Sequence, residues 1–207
     1  MNYNIIFSCL EEIKKNIDLH KEEIEKLDQE IGDGDHIFNI QRGIKEAMQM
    51  RNELAPENPK NIFKKIGFKI MTTIGGSSGA LFATLLLGMS KSFSEDVDNR
   101  KNLIKMFAAG VEDMKIRGKA NIGEKTMLDV LIPVSEFLQS YRENSSNSDL
   151  AKEVKDIAKE GMLSTKNMVA TKGRASFLGE RAKGHIDPGA RSSQLAIEAI
   201  CNQFINK

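Results

Sequence analysis

Four acidic residues crowd a short stretch of this 207-residue chain, and their types and spacing indicate metal chemistry. They are Asp28, Glu30, Asp33 and Asp35, with glycine at two of the positions between them. Carboxylates this close repel one another unless a cation lies among them. Asp28, Asp33 and Asp35 could each offer one oxygen to a hard cation such as Mg²⁺, which often shares its shell with phosphates. A solvated acidic turn that caps the next helix is the alternative.

Calcium and zinc fit this segment poorly. An EF-hand requires a bidentate glutamate at its twelfth position, but counting from Asp33 reaches Ile44, and counting from Asp28 reaches Asn39. The three histidines have no zinc-site spacing and neither cysteine lies near one of them.

A second segment, Gly-Gly-Ser-Ser-Gly at 75–79, runs directly into the most apolar stretch of the chain. Converging backbone N–H groups, the hydroxyls of Ser77 and Ser78 and a helix N-terminus together make an anion cradle. Close helix packing around a tight turn is the alternative. No Gly-Lys-Ser/Thr follows, so this is not a P-loop. A metal-bound nucleotide diphosphate or triphosphate would satisfy both the carboxylates and this cradle.

Two further loops are candidates for ligand contacts. Residues 118–129 mix basic, amide and apolar side chains that could cover a base or sugar, or they form a plain helix link capped by Thr126. Residues 173–189 are predicted to lack regular structure, and loops of that length commonly serve as lids or binding loops.

The elements that must position these loops are helices, because apolar residues recur every three or four positions and hardly ever alternate. The predicted helices lie at about 3–16, 20–27, 38–50, 62–70, 79–89, 103–118, 127–141, 149–168 and 195–204. The helix at 79–89 is apolar on nearly every side and is predicted to be the most buried. Solvated links are predicted at 55–60 and 142–148. With 40% hydrophobic residues, the chain is predicted to be a single all-α domain over 1–207.

Composition argues against several classes of partner. The formal net charge of +1 removes the field that a nucleic-acid or membrane-surface binder uses. The longest apolar stretch, 80–89, is too short to cross a bilayer, and no secretory leader is visible. Cys9 and Cys201 are expected to be buried and reduced. A cytoplasmic protein that binds neither membrane nor nucleic acid is expected.

Four segments in one order carry a resemblance to a known family. They are Leu-Asp-Gln-Glu-Ile-Gly-Asp-Gly-Asp-His at 27–36, Gly-Gly-Ser-Ser-Gly at 75–79, the loop 118–129, and the segment 173–190 with its Asp-Pro-Gly turn. Spread over about 27–193, they resemble the L (ADP-binding) subunits of phosphotransferase-system-dependent dihydroxyacetone kinases. Those subunits are equivalent to the nucleotide-binding domain of the ATP-dependent single-chain kinases.

The resemblance implies a closed barrel of about eight antiparallel amphipathic helices, with ADP/ATP and Mg²⁺ bound in loops at one end. It implies that Asp28, Asp33 and Asp35 bind the metal and that the chain contributes positioning, with no catalytic nucleophile of its own. The residues it places around the nucleotide are His36, Ile37, Phe38, Asn39, Ser77, Ser78, Gly118, Met127, Arg174, Asp187, Pro188 and Gly189.

The resemblance also implies partners. A phosphohistidine M-type subunit would recharge bound ADP, and the phosphoryl group would then pass to dihydroxyacetone held on a K-type subunit. The sequence leaves open whether the chain also forms a homodimer.

One departure from the family pattern bears on function. Ile37 and Phe38 stand where the family usually has glycine and a small residue, and a β-branched residue would crowd a special backbone conformation or a close phosphate. A non-catalytic regulatory paralogue is therefore one alternative. A second is the ATP-binding subunit of a related two-component kinase for another substrate, although His36 favours the dihydroxyacetone branch over the fatty-acid branch.

Overall fold

The computed structural model describes residues 2–141 and 146–205, and all regular structure in these ranges is helical. The α-helices are α1 (Tyr3–Leu19), α2 (Lys21–Ile31), α3 (His36–Gln49), α4 (Arg51–Leu54), α5 (Pro59–Thr73), α6 (Gly76–Lys91), α7 (Asn99–Gly118), α8 (Leu128–Ser140), α9 (Asn147–Ser164) and α10 (Pro188–Ile205). Two 3₁₀ segments follow α9, Thr165–Asn167 and Arg174–Ala182.

The predicted all-α class is confirmed, but the helices of the described ranges outnumber the expected eight. Single turn residues separate two pairs of helices, His20 between α1 and α2 and Met50 between α3 and α4. Helix α9 begins behind Ser146, whose hydroxyl accepts from the Asp149 N–H at 3.1 Å. The predicted link at 142–148 lies outside the described residues from 142 to 145.

Contacts divide the chain into two compact units, and the first comprises Met1–Glu11 and Phe38–Lys119. In this unit α6 packs against α5 and α7. A Cβ added at Gly88 of α6 would lie 2.8 Å from the Cα of Gly110 on α7, so the two helices need glycine at their contact. The core cluster of this unit is Phe7, Ala47, Leu54, Ile62, Ile66, Ile70 and Ala83.

The prediction that the apolar stretch at 79–89 forms the most buried helix is wrong. Helix α6 buries mainly its small residues, and its four leucines are only partly buried. Helix α8 is more deeply buried, since most of its residues from Leu128 to Ser135 are inaccessible to solvent. The apolar composition of a helix therefore does not by itself decide how much of the helix is buried.

The second unit comprises Glu12–Ile37 and Ala120–Lys207. Here α9 packs against α8 and α10, and α2 packs against α10. Gly161 of α9 allows a close approach, because a Cβ there would lie 2.4 Å from the backbone oxygen of Asp129 on α8. The prediction of a single domain over 1–207 stays a prediction.

The segment 173–189 is not structureless, contrary to expectation. Residues Arg174–Ala182 form 3₁₀ turns that kink at Gly179, where φ is +55°. Ala175 and Ala182 pack with Ile31 of α2 and with Ala170. Short 3₁₀ turns lack the 3.6-residue repeat, so periodicity does not detect them. This packing places the segment beside the C-terminal end of α2.

Across the described ranges, no helix combines the length and apolar character needed to cross a membrane.

Candidate functional site

The three aspartates predicted to bind metal lie together at the C-terminal end of α2. Asp28 is in the last turn of that helix, and Asp33 and Asp35 are in the connection to α3. Each offers one carboxylate oxygen, and these oxygens all lie within 4.8 Å of one another. Asp28 is buried, whereas Asp33 and Asp35 are exposed. The cluster therefore has one anchored carboxylate and two that face solvent.

Backbone geometry orients the buried carboxylate. Oδ2 of Asp28 accepts a hydrogen bond from the N–H of His36 at 2.9 Å. The N–H of Gly32 donates to the backbone oxygen of Asp28 at 2.7 Å, which folds the chain back over the helix end. A Cβ at position 32 would lie 1.8 Å from Oδ1 of Asp28, so only glycine leaves room for this carboxylate.

The donor set fits a hard divalent cation. All three groups are carboxylates, and Mg²⁺ is bound in proteins by a few carboxylates while water and phosphate fill its remaining positions. Nε of Arg174 donates to Oδ2 of Asp33 at 2.8 Å. Both side chains are exposed, so this ion pair contributes about 0–1 kcal/mol to stability. The 3₁₀ segment thus brings a guanidinium, a good phosphate ligand, to the edge of the carboxylate cluster.

His36, which belongs to the second unit, is buried and contacts α10. Its Nε2 lies 3.0 Å from the hydroxyl oxygen of Ser192, and that hydroxyl donates to the backbone oxygen of Gly189 at 3.0 Å. Burial lowers the pKa of His36, although the neighbouring carboxylates oppose this shift, with Asp28 contributing most. A neutral, hydrogen-bonded imidazole holds the start of α3 in place and adds no charge to the site.

The two unusual residues after His36 cause no backbone strain. Ile37 is fully buried within the first turn of α3, and Phe38 is about half exposed at 48%. In the parts of the chain that the structure describes, only Lys119 and Lys125 among non-glycine residues have positive φ. Position 37 therefore needs no glycine for its conformation, and the β-branched side chain fits the core.

Asn39 has a buried side-chain donor without a hydrogen-bond partner among the described residues. Its Nδ2 is inaccessible to solvent and has no hydrogen-bond partner among the described residues. A buried donor without a partner costs about 1–3 kcal/mol. An acceptor on a bound molecule would remove that cost, and the nucleotide contact of Asn39 stays a prediction.

The other predicted residues of the first unit lie at helix ends. Ser77 and Ser78 are in the first turn of α6, where backbone N–H groups have no partner within the helix. Gly118 is the last residue of α7, and the left-handed residue that ends this helix is Lys119, with φ of +46°. The predicted end of this helix at Gly118 is therefore confirmed, and Lys119 is the capping residue that follows it.

In the second unit, Met127 contacts the turn formed by Asp187, Pro188 and Gly189. The Asp187 carboxylate accepts from the Ala190 N–H at 2.7 Å and caps α10, and Pro188 is the first residue of that helix. A Cβ at Gly189 would lie 3.2 Å from Cε of Met127, so the two surfaces touch. An aspartate followed by proline is a common helix start, and the sequence-based boundary at 195 missed it.

Sequence reasoning also missed a buried polar network beside this turn. Lys125 is 1% exposed, and its Nζ donates to the backbone oxygens of Thr165 and His185 at 2.6 and 2.5 Å. The two carboxylate oxygens of Asp129 accept from the N–H groups of Gly123 and Thr126 at 2.6 and 2.7 Å. A lysine in a glycine-containing loop is ordinarily solvated, so its sequence context carried no signal of burial.

Burial and mutual charge interactions shift the pKa values of the ionisable groups in this network. Burial, with a smaller contribution from the Asp129 carboxylate, raises the pKa of Asp187 to about 7, although the hydrogen bond from the Ala190 N–H and the Lys125 ammonium oppose this shift. Burial also raises the pKa of Asp129 and lowers that of Lys125. Asp187 therefore titrates near neutral pH.

The raised pKa of Asp187 predicts a pH-dependent stability. Between pH 4 and 7 the folded chain keeps a proton on Asp187 that the unfolded chain has released, so its contribution to folding falls as pH rises. We expect Asp187→Asn to raise Tm relative to wild type, and this difference in Tm to increase by about 4 °C or more from pH 4.5 to 7.5. Differential scanning fluorimetry of both proteins across this pH range measures the difference.

Asp98→Asn is the matched control for this titration. Hydrogen bonds from the N–H groups of Lys101 and Arg100 lower the pKa of Asp98, so its carboxyl stays ionised throughout this pH range. The Tm difference for that variant should be constant. A constant difference for Asp187→Asn as well would show that Asp187 titrates normally.

Comparison with known proteins now identifies the class. The family model described as DAK2 domain matches residues 30–202, and the chain belongs to this family. It is 41% identical over 192 residues to the PTS-dependent dihydroxyacetone kinase ADP-binding subunit DhaL of Lactococcus lactis, covering 92% of both proteins. It is 39% identical over 191 residues to the PEP-dependent dihydroxyacetone kinase 1 ADP-binding subunit DhaL of Listeria innocua, covering 92% of this chain and 91% of that subunit.

A solved structure shows the same fold. The dihydroxyacetone kinase of C. freundii, in complex with AMP-PNP and Mg²⁺, matches with a TM-score of 0.74 at 22% identity. The match covers 94% of this chain and 33% of the kinase, so the chain corresponds to one part of that larger enzyme.

Proposed function

We propose that this chain is the nucleotide- and Mg²⁺-binding subunit of a dihydroxyacetone kinase. In this role bound ADP accepts a phosphoryl group from a phosphohistidine protein of the phosphotransferase system. The resulting ATP then passes its γ-phosphoryl group to dihydroxyacetone held on a K-type partner. The relatives that match along nine-tenths of their length are separate ADP-binding subunits of such kinases, which supports a subunit role.

The observation that carries this proposal is the carboxylate cluster. Three oxygens from Asp28, Asp33 and Asp35 lie within 4.8 Å of one another at one helix end. Such a set suits a small cation that keeps open positions for phosphate oxygens. Bound Mg²⁺ would neutralise the charge of the nucleotide phosphates.

The protein's own contribution is positioning and charge. Asp28 is held by the His36 N–H and by the turn at Gly32, so the metal would meet one preoriented carboxylate. Arg174 would bind a phosphate oxygen with its planar guanidinium. We assign no nucleophile or general base to the chain, because both the phosphoryl donor and the acceptor are on partners.

The first experiment identifies what the protein carries. Freshly purified protein is denatured, and the released small molecules are separated by chromatography and quantified, with metal analysis of the same sample. We expect near-stoichiometric ADP or ATP together with magnesium. Such a result would also show that Ile37 is compatible with nucleotide binding.

Other outcomes distinguish the alternatives. A protein that is empty and that fails to bind ADP with Mg²⁺ in a calorimetric titration would be a regulatory paralogue. A protein that binds nucleotide but transfers no phosphoryl group to dihydroxyacetone, with K-type and M-type partners present, would serve a kinase for another substrate.

A further inference from the structure

Among the described residues of the second unit, Lys125 has the least exposed charged side chain, and neither the metal cluster nor the predicted nucleotide residues include it. Its side chain is 1% exposed, and lysine is almost never fully buried unless its ammonium is paired. The backbone at Lys125 also has φ of +60°, a conformation that side-chain-bearing residues seldom adopt. The chain thus accepts both a strained backbone and a buried cation at one residue.

The ammonium group of Lys125 joins three segments that are distant in sequence. It donates to the backbone oxygen of Thr165 in the 3₁₀ turn after α9, at 2.6 Å, and to that of His185 before α10, at 2.5 Å. Thr165 in turn accepts from the N–H of Asp187 through its hydroxyl oxygen at 3.1 Å. Two residues after Lys125, Met127 touches Gly189.

We infer that Lys125 is a positioning residue for the nucleotide, because its ammonium fixes the turn at Asp187–Gly189 against Met127. This inference rests on the proposed function, in which both segments contact the nucleotide. An ammonium suits this role because it has three donors and no acceptor, and two of them already hold backbone oxygens of different segments. A neutral side chain would leave the His185 oxygen without this donor and the Thr165 oxygen with only the Met168 N–H, and the turn would shift.

The test compares nucleotide affinity between Lys125→Met and a matched control. Methionine has a similar length and no charge, and Lys166→Met removes an exposed lysine beside Thr165. Isothermal titration with ADP in excess Mg²⁺ gives the dissociation constant separately from the fraction of active protein. We expect Lys125→Met to bind ADP about tenfold or more weakly and Lys166→Met to bind as wild type does.

Two further measurements separate positioning from a loss of folding. Thr165→Val keeps the lysine and removes only the hydroxyl that holds Asp187, and we expect a several-fold loss of ADP affinity. In Lys125→Ala, propylammonium should restore affinity and 1-propanol should not, because only the amine replaces the missing donors. A merely structural role would lower the active fraction or Tm without this response to amine.

The outcomes are distinct for the two proposals. Wild-type affinity in both Lys125→Met and Thr165→Val would overturn the positioning role and leave the proposed function intact. Absence of ADP binding by the wild-type protein would overturn the proposed function, and the positioning role with it.

Discussion

Replacing Asp33 or Asp35 with asparagine is expected to weaken Mg²⁺-dependent ADP binding by about tenfold or more while the helical content stays unchanged. Asparagine keeps the size of the side chain and one oxygen but removes the negative charge that holds a hard cation. Both aspartates are exposed and belong to the connection between α2 and α3, so folding does not depend on their charge. Calorimetric titration and circular dichroism measure the two properties.

Asp33→Asn and Asp35→Asn differ in whether they also remove an ion pair. Asp33 also pairs with Arg174, so Asp33→Asn removes a partner of that guanidinium, whereas Asp35→Asn tests the metal alone. Glu30→Gln is the matched control, because Glu30 lies in the same acidic segment but pairs with His185. Unchanged affinity in both aspartate variants would remove these residues from the metal shell. A loss in Glu30→Gln as large as theirs would indicate a general effect of charge.

A second large loss of ADP binding is expected in Gly32→Ala, which adds a single methyl group. The added Cβ would lie 1.8 Å from Oδ1 of Asp28, so the carboxylate must turn away from its bond to the His36 N–H. The backbone at Gly32 has φ of −122°, which alanine adopts readily, so the effect acts through Asp28. We expect loss of ADP binding by about tenfold or more, through the misplaced metal ligand.

Gly34→Ala separates this clash from backbone strain. A Cβ at Gly34 would meet nothing within 4 Å, but φ there is +77°, so alanine would be strained without touching Asp28. We expect Gly34→Ala to lower Tm and to weaken ADP binding less than Gly32→Ala does. A Gly32→Ala protein with wild-type affinity would show that the Asp28 carboxylate is free to move or is not a metal ligand.

The all-α class and the composition of the carboxylate cluster could be predicted from the sequence because both are local properties. Helical periodicity is visible within a few turns of chain. Asp28, Asp33 and Asp35 lie within a single helix end and its following loop, so the glycines between them are sufficient to bring their oxygens together. The family resemblance added the prediction of a nucleotide site, because the motifs that carry the resemblance are spread along nearly the whole chain.

Only the tertiary structure decided the features that depend on distant neighbours. Lys125 finds its acceptors 40 and 60 residues away, and nothing in its local sequence distinguishes it from a solvated lysine. The raised pKa of Asp187 and the 3₁₀ packing that brings Arg174 to Asp33 have the same origin. Likewise α6, although apolar, is less buried than α8. A residue's type is fixed along the chain, but its burial, charge state and partners depend on what the fold packs against it.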